Sequence, residues 1–161
     1  MTPPNSSNIR RAGPADAAAV AACVRAAYRH YVPRIGKQPG PMLVDYADAV
    51  ARHQVWLIPH GKDCAAALVL VPETDYLQLD NIAVDPRHQG RGLGRALLAL
   101  AETEAARQGY AELRLYTHAR MTENIAMYAR LGWQETGRGA QDGYDRVFFR
   151  KRVPRNDPSG A

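Results

Sequence analysis

Asp80-Asn81-Ile82-Ala83-Val84-Asp85-Pro86-Arg87-His88-Gln89-Gly90-Arg91-Gly92-Leu93-Gly94-Arg95-Ala96-Leu97-Leu98 is the stretch from which the rest of the chain is read. A strand pattern enters a glycine-rich turn, and the turn opens directly into a helix pattern. That layout aims unsatisfied backbone N–H groups, and the positive end of a helix dipole, at one spot. Glycine at 90, 92 and 94 lets an anion reach the backbone with no Cβ in the way. Arg87, Arg91 and Arg95 recur every fourth residue around the same turn and can ring a polyphosphate with positive charge. The segment therefore reads as a phosphate site. Two familiar nucleotide patterns fail here. Leu97 occupies the last position of G-x-G-x-x-G, and no Gly-Lys-Ser/Thr follows for a Walker loop.

Outward from this loop, hydrophobic periodicity and turn residues divide the chain. Residues 8–12 read as a short strand closed by Gly13-Pro14. Asp16 caps a helix to about His30, with Val20, Val24 and Ala27 on one face. Tyr31 to Pro41 is too rich in Pro and Gly for regular structure, and Met42 to Arg52 reads as a second helix. Val55–Pro59 and Ala65–Val71 form a hairpin about His60-Gly61-Lys62-Asp63. Asp75 to Val84 is a strand whose alternation breaks at Asn81, as a bulge would break it. A helix over Gly92–Gln108 ends at Gly109, a left-handed cap position. Leu113–Thr117 is a strand and Thr122–Leu131 a helix ended by Gly132. Two last strands, Trp133–Gly137 and Tyr144–Arg152, flank Ala140-Gln141-Asp142-Gly143. The order β-α-α-β-β-β-α-β-α-β-β describes an α/β chain of the α+β kind, a mixed sheet with helices on its faces.

The 161 residues suffice for one domain with a proper core. We place it at 8–153, between disordered ends at 1–7 and 154–161. The apolar run 17–24 is far short of the roughly 20 residues of a membrane span. No secretory pattern opens the chain, so the expectation is a cytoplasmic protein with no membrane partner. Cys23 and Cys64 fit small core positions better than a disulfide scaffold. The net charge of +5 favours an anionic partner, and with only three lysines (37, 62 and 151) arginine supplies most of it. No aromatic-basic patch of an RNA binder accompanies it, which argues against nucleic acid. The five histidines lack metal-ligand spacing, so no metal is expected.

With these residues in view, the chain resembles the GCN5-related N-acetyltransferase (GNAT) superfamily. Its Gln/Arg-x-x-Gly-x-Gly/Ala signature is matched by Gln89, Gly92 and Gly94 after Ala83-Val84. A second signature, Asn-x-x-x-Tyr-x-x-Leu-Gly-aromatic, is matched by Asn124, Tyr128, Leu131, Gly132 and Trp133. The resemblance implies a GNAT-like acyl-CoA N-acyltransferase fold with a bulged central strand, and acetyl-CoA as donor. It implies that backbone N–H groups of Gln89, Gly90, Arg91, Gly92, Leu93, Gly94 and Arg95 hold the pyrophosphate. The strand edge Ile82, Ala83 and Val84 would pair with the pantetheine arm, and Asn124 would contact that arm from the other side. Met121 stands where many relatives carry a further Asn. Tyr128 would place its hydroxyl near the sulfur.

The chemistry fits such parts. An amine attacking a thioester creates a tetrahedral oxyanion, which calls for preorganised donors such as the N–H of Ile82 or Ala83. A phenol in hydrogen-bond reach can protonate the departing thiolate. The amine must be neutral, which costs little for an α-amine with a pKa of about 8 and more for a lysine near 10.4. Asp80 is the chosen general base, with His118 and Glu123 as other candidates and ordered water as a substitute. Tyr28, Tyr31, Arg34, Asp45, Tyr46 and Asn81 are the candidates for binding the acceptor, and Tyr144 or Arg146 can join from the last hairpin. The acceptor is a small amine, amino acid or peptide, and the protein a monomer or homodimer. Two alternatives stay open: a non-catalytic acyl-CoA sensor, and an acetyltransferase of a protein or aminoacyl-tRNA.

Overall fold

A computed structural model provides the structure and describes Asn5 and residues 8–154. The expected disordered ends, 1–7 and 154–161, lie outside the described residues except at Asn5 and Pro154. The chain divides into two compact units, Met1–Val71 with Asp80–Leu100 and Pro72–Leu79 with Ala101–Ala161.

In the first unit, β1 (Arg10–Arg11) pairs antiparallel with β2 (Gln54–His60), Arg10 opposite Leu57. Helix α1 (Ala17–Tyr28) buries Val20, Cys23, Val24 and Ala27, the i, i+3, i+4, i+7 stripe that its sequence spells. The Pro- and Gly-rich segment is not irregular throughout, because it holds a short helix, α2 (Val32–Ile35). Pro33 sits in its first turn, where a missing N–H breaks no helical bond. Gly36, at φ 89°, closes it in the left-handed region. Helix α3 runs Tyr46–Arg52 and starts four residues later than its sequence suggests. The Asp45 side chain sets that start by accepting the N–H groups of Ala47 (3.0 Å) and Asp48 (3.2 Å), while Gly40–Leu43 forms a separate 3-10 turn.

Strand β3 (Asp63–Pro72) forms the expected hairpin with β2, and the register slips between Ile58 and Pro59, where proline has no N–H to donate. Its residues Cys64–Leu70 are all buried, as for a strand covered on both faces. Cys23 and Cys64 are buried free thiols; their mutual hydrogen bond, then burial, push the Cys23 thiol up and keep it protonated. Strand β4 (Leu77–Val84) alternates buried and half-buried residues from end to end. Asn81 is a polar side chain at one of its inward positions. Helix α4 (Leu93–Arg107) follows the glycine loop.

In the second unit, β5 (Glu112–His118) takes parallel pairing from the start of β4 at only two positions, Leu77–Leu113 and Gln78–Arg114. Its whole length pairs antiparallel with β7 (Tyr144–Arg152), which in turn pairs with β6 (Gln134–Gln141). Strand β6 is longer than the expected Trp133–Gly137. Asp142 (φ 54°) and Gly143 (φ 81°) make a two-residue left-handed turn that matches strand twist and lets pairing run to Gln141 opposite Tyr144. Helix α5 (Thr122–Arg130) ends before Gly132 at φ 91°. The seven strands hydrogen-bond in the order β1-β2-β3-β4-β5-β7-β6, a mixed sheet.

Candidate active site

The glycine loop is built on Asp85. Its N–H donates to the Ala65 carbonyl of β3 (2.9 Å), and its buried carboxylate accepts the Arg87 N–H at 2.9 Å. The Arg87 guanidinium forks onto the same carboxylate through Nε (3.1 Å) and Nη2 (2.9 Å), and holds the Asp85 carboxyl below the usual range. Arg87 is thus charge-compensated within the loop and does not complete the expected ring of three arginines. Arg91 and Arg95 are exposed, and neither meets a carboxylate within ion-pair distance among the described residues. His88 is buried with its ring 4.6 Å from that of His60, and its Nδ1 has no protein partner. Burial first, and then His60, push its pKa down.

Gly90 and Gly92 lie at φ 79° and 76°, conformations that a side chain would strain. The first bond of α4 runs from the Ala96 N–H to the Gly92 carbonyl at 3.1 Å. The N–H groups of Leu93, Gly94 and Arg95 thus lack helical acceptors. At Gly94 a Cβ would meet Val84 at 3.6 Å, an ordinary van der Waals contact, so packing against β4 does not demand glycine there. Leu93 itself is buried, so only its backbone can serve a ligand.

The acceptor candidates of this unit have different fates. Asn81, 5% exposed, joins Tyr28 and Tyr46 in one network. The Tyr28 hydroxyl lies 2.9 Å from Asn81 Oδ1 and 3.0 Å from the Ile82 carbonyl, its one proton shared. Asn81 Nδ2 donates to the Tyr46 hydroxyl (3.0 Å), which donates to the Pro41 carbonyl (2.6 Å). Burial pushes the Tyr46 phenol up, so it remains a donor. Asp45 is committed to capping α3. Tyr31 is buried against His30, ring centroids 3.9 Å apart, and the exposed Arg34 lies 5.2 Å over its face. Asp80 is half-buried on β4.

In the second unit Tyr128 is buried on α5, its ring 5.9 Å from Trp133 and 5.7 Å from Phe149. One turn earlier, Asn124 Nδ2 lies 3.7 Å from the sulfur of buried Met121, which also accepts the Thr117 hydroxyl at 3.5 Å. At the end of β5, His118 Nδ1 accepts the Arg120 N–H (3.0 Å), which leaves Nε2 to carry the proton of the neutral ring. Glu123 is exposed in the first turn of α5. Sequence reasoning left two groups without a role, Asp85 and the buried His88. Their neighbours come from β2 and β3, so no local spacing marks them.

Comparison with known proteins places this geometry in a family. Residues 22–133 match the model of the Acetyltransferase (GNAT) family. The [Ribosomal protein bS18]-alanine N-acetyltransferase of Escherichia coli (strain K12) is 43% identical over 79 residues, 49% of this chain and 53% of the relative. The chain thus spans about half the length of the curated relatives it matches most strongly. The mycothiol acetyltransferase of Kocuria rhizophila is 42% identical over 53 residues, 33% of this chain and 18% of that protein. Among solved structures, the ribosomal-protein-S18-alanine N-acetyltransferase from Escherichia coli superposes with a TM-score of 0.72 at 25% identity, covering 93% of this chain and 96% of that one. An N-acetyltransferase from Thermoplasma acidophilum in complex with coenzyme A shares the fold, with a TM-score of 0.75 at 17% identity over 89% of this chain and 97% of that one. By the family match over most of its length, this chain belongs to the acetyltransferase (GNAT) family.

Proposed function

We propose that the protein transfers an acetyl group from acetyl-CoA to the primary amine of a small amine, amino acid or peptide. The observation that carries this reading is the loop 85–95. Its left-handed Gly90 and Gly92, the open N–H groups at the start of α4, and the charges of Arg91 and Arg95, which meet no carboxylate among the described residues, together fit a pyrophosphate. Acetyl-CoA supplies an activated acetyl thioester when bound. The backbone from Gln89 to Arg95 holds the pyrophosphate, and Asn124 and the edge Ile82–Val84 hold the arm. Because the Ile82 carbonyl already takes the Tyr28 hydroxyl, β4 contributes mainly N–H donors, the polarity an oxyanion needs. Tyr128 gives its phenol proton to the departing sulfur, and Asp80 takes the proton of the incoming amine. Tyr28, Tyr46 and Asn81 hold the neighbouring backbone in place, and Tyr31 and Arg34 contact the acceptor. The reading is of a cytoplasmic monomer or homodimer; among the described residues no helix is long and apolar enough to cross a membrane.

A second reading, transfer to a protein acceptor, draws on the 43% identity to the [Ribosomal protein bS18]-alanine N-acetyltransferase over 49% of this chain. The test is release of free thiol from acetyl-CoA with a panel of amines, amino acids and peptides. Amine-dependent release supports the reading. Coenzyme binding with no release for any amine would replace the enzyme by an acyl-CoA sensor.

A further inference from the structure

Arg146, on β7, is 7% exposed, and its Nε and Nη1 are buried with no hydrogen-bond partner among the described residues. Its remaining nitrogen, Nη2, lies 3.7 Å from Asp142, whose carboxylate is 78% exposed at the hairpin tip. The guanidinium lies 3.9 Å over the Tyr116 ring and 5.6 Å over the Tyr144 ring. His118 is opposite Arg146 in the β5–β7 register, and its ring meets Tyr144 edge-on at 6.0 Å. Of the buried side-chain nitrogens that lack a partner among the described residues, those of Arg146 belong to a permanent cation, unlike Trp56 Nε1 and His88 Nδ1. Aromatic faces attract a guanidinium, yet they do not replace the hydrogen bonds and counter-charge that it loses on leaving water.

We propose that Arg146 recognises the carboxylate of the acceptor, which makes the acceptor an amino acid with a free α-carboxylate. This deepens the acetyl-transfer reading and rests on it. The chemistry follows from guanidinium shape. Nη2 shares one edge of the plane with Nε and the other with Nη1. An anion that takes the place of Asp142 is therefore bidentate along either edge, and satisfies a nitrogen that the protein leaves open. Tyr116 and Tyr144 hold the plane of the fork, and Asp142 occupies it loosely until the acceptor arrives. Its loose hold costs little to break, because an exposed carboxylate 3.7 Å away is screened by water.

The experiment pairs L-alanine, L-methionine and L-phenylalanine with their carboxamides. Each is titrated calorimetrically into the chain in the presence of CoA and then assayed for thiol release from acetyl-CoA. A charged, bidentate hydrogen bond predicts acids favoured over amides by at least roughly tenfold. Arg146→Met brings that ratio to near one. Asp142→Asn keeps a residue suited to the left-handed turn and removes the competing charge, so it widens the ratio several-fold. This second variant keeps the test sharp if Arg146→Met folds poorly. Equal use of acids and amides, a preference that survives Arg146→Met, or no binding of any pair overturns the proposal. The two readings fail differently. Thiol release from amides and peptides as readily as from acids removes the carboxylate site and keeps the enzyme. Carboxylate binding that depends on Arg146 without any release keeps the site and removes the transfer reaction.

Discussion

Asn81 and Arg146 are buried almost equally, at 5% and 7% exposure, yet their surroundings treat them in opposite ways. Asn81 gives and takes its hydrogen bonds inside the protein, between Tyr28 and Tyr46. Among the described residues Arg146 has no acceptor for two of its nitrogens, and a third lies beside a distant carboxylate. A satisfied buried amide ties α1, α3 and β4 of the first unit together and is a device of the fold. The buried cation in the second unit has aromatic faces but no acceptor for two of its nitrogens among the described residues, which is why we assign it a ligand.

Four variants break or sharpen this contrast, beginning with the largest effect. Tyr128→Phe removes the phenol proton from a third buried polar side chain. It should lower kcat by about a hundredfold, the middle of the range for a general acid, with CoA affinity within twofold. Steady-state thiol release with calorimetry checks it, and an unchanged kcat removes Tyr128 from the chemistry. Asn81→Leu should cost about 2 kcal/mol in urea unfolding, since it deletes two hydrogen bonds while Tyr28 and Tyr46 keep their carbonyl acceptors at Ile82 and Pro41. Arg146→Met should move stability by less than about 1 kcal/mol in either direction, because no protein acceptor loses a bond. A loss as large as that of Asn81→Leu would mean that the cation is structural and the contrast false.

The smallest effect is one of pH. Burial depresses the His88 pKa below its unfolded value. The neutral ring therefore contributes stability above the unfolded value of about 6.5, and that stability is lost as pH falls through the lower folded value. Wild type should lose more stability than His88→Gln between pH 7.5 and 5.5, as read from urea midpoints. Equal losses would show that His88 is already charged or hydrogen-bonded.

The glycine loop and the order of elements are legible in the chain because their signals are local. Gly90, Gly92 and Gly94 sit between a strand and a helix, and Gly109 and Gly132 close helices where left-handed caps belong. The extra helix α2 escapes because Pro33 and Gly36 read as breakers, although one starts and the other ends a single turn. Asp45 reads as a binding residue, and its Oδ1 also caps α3, a role that composition does not reveal. Arg87 reads as a phosphate ligand, since only the folded 3-10 turn brings Asp85 beneath it. Arg146 lies among many arginines, and its distinction comes from partners on β5 and the hairpin tip, which periodicity does not reveal.

The most direct test of the account is a calorimetric titration of CoA into the wild-type chain and into Gly92→Glu. The wild type should show saturable one-to-one binding and the variant none. There the glutamate would force a left-handed backbone into strain and set a carboxylate where a pyrophosphate belongs. Failure of the wild type to bind CoA, or binding of equal strength by Gly92→Glu, would contradict the assignment of the loop and of the function built on it.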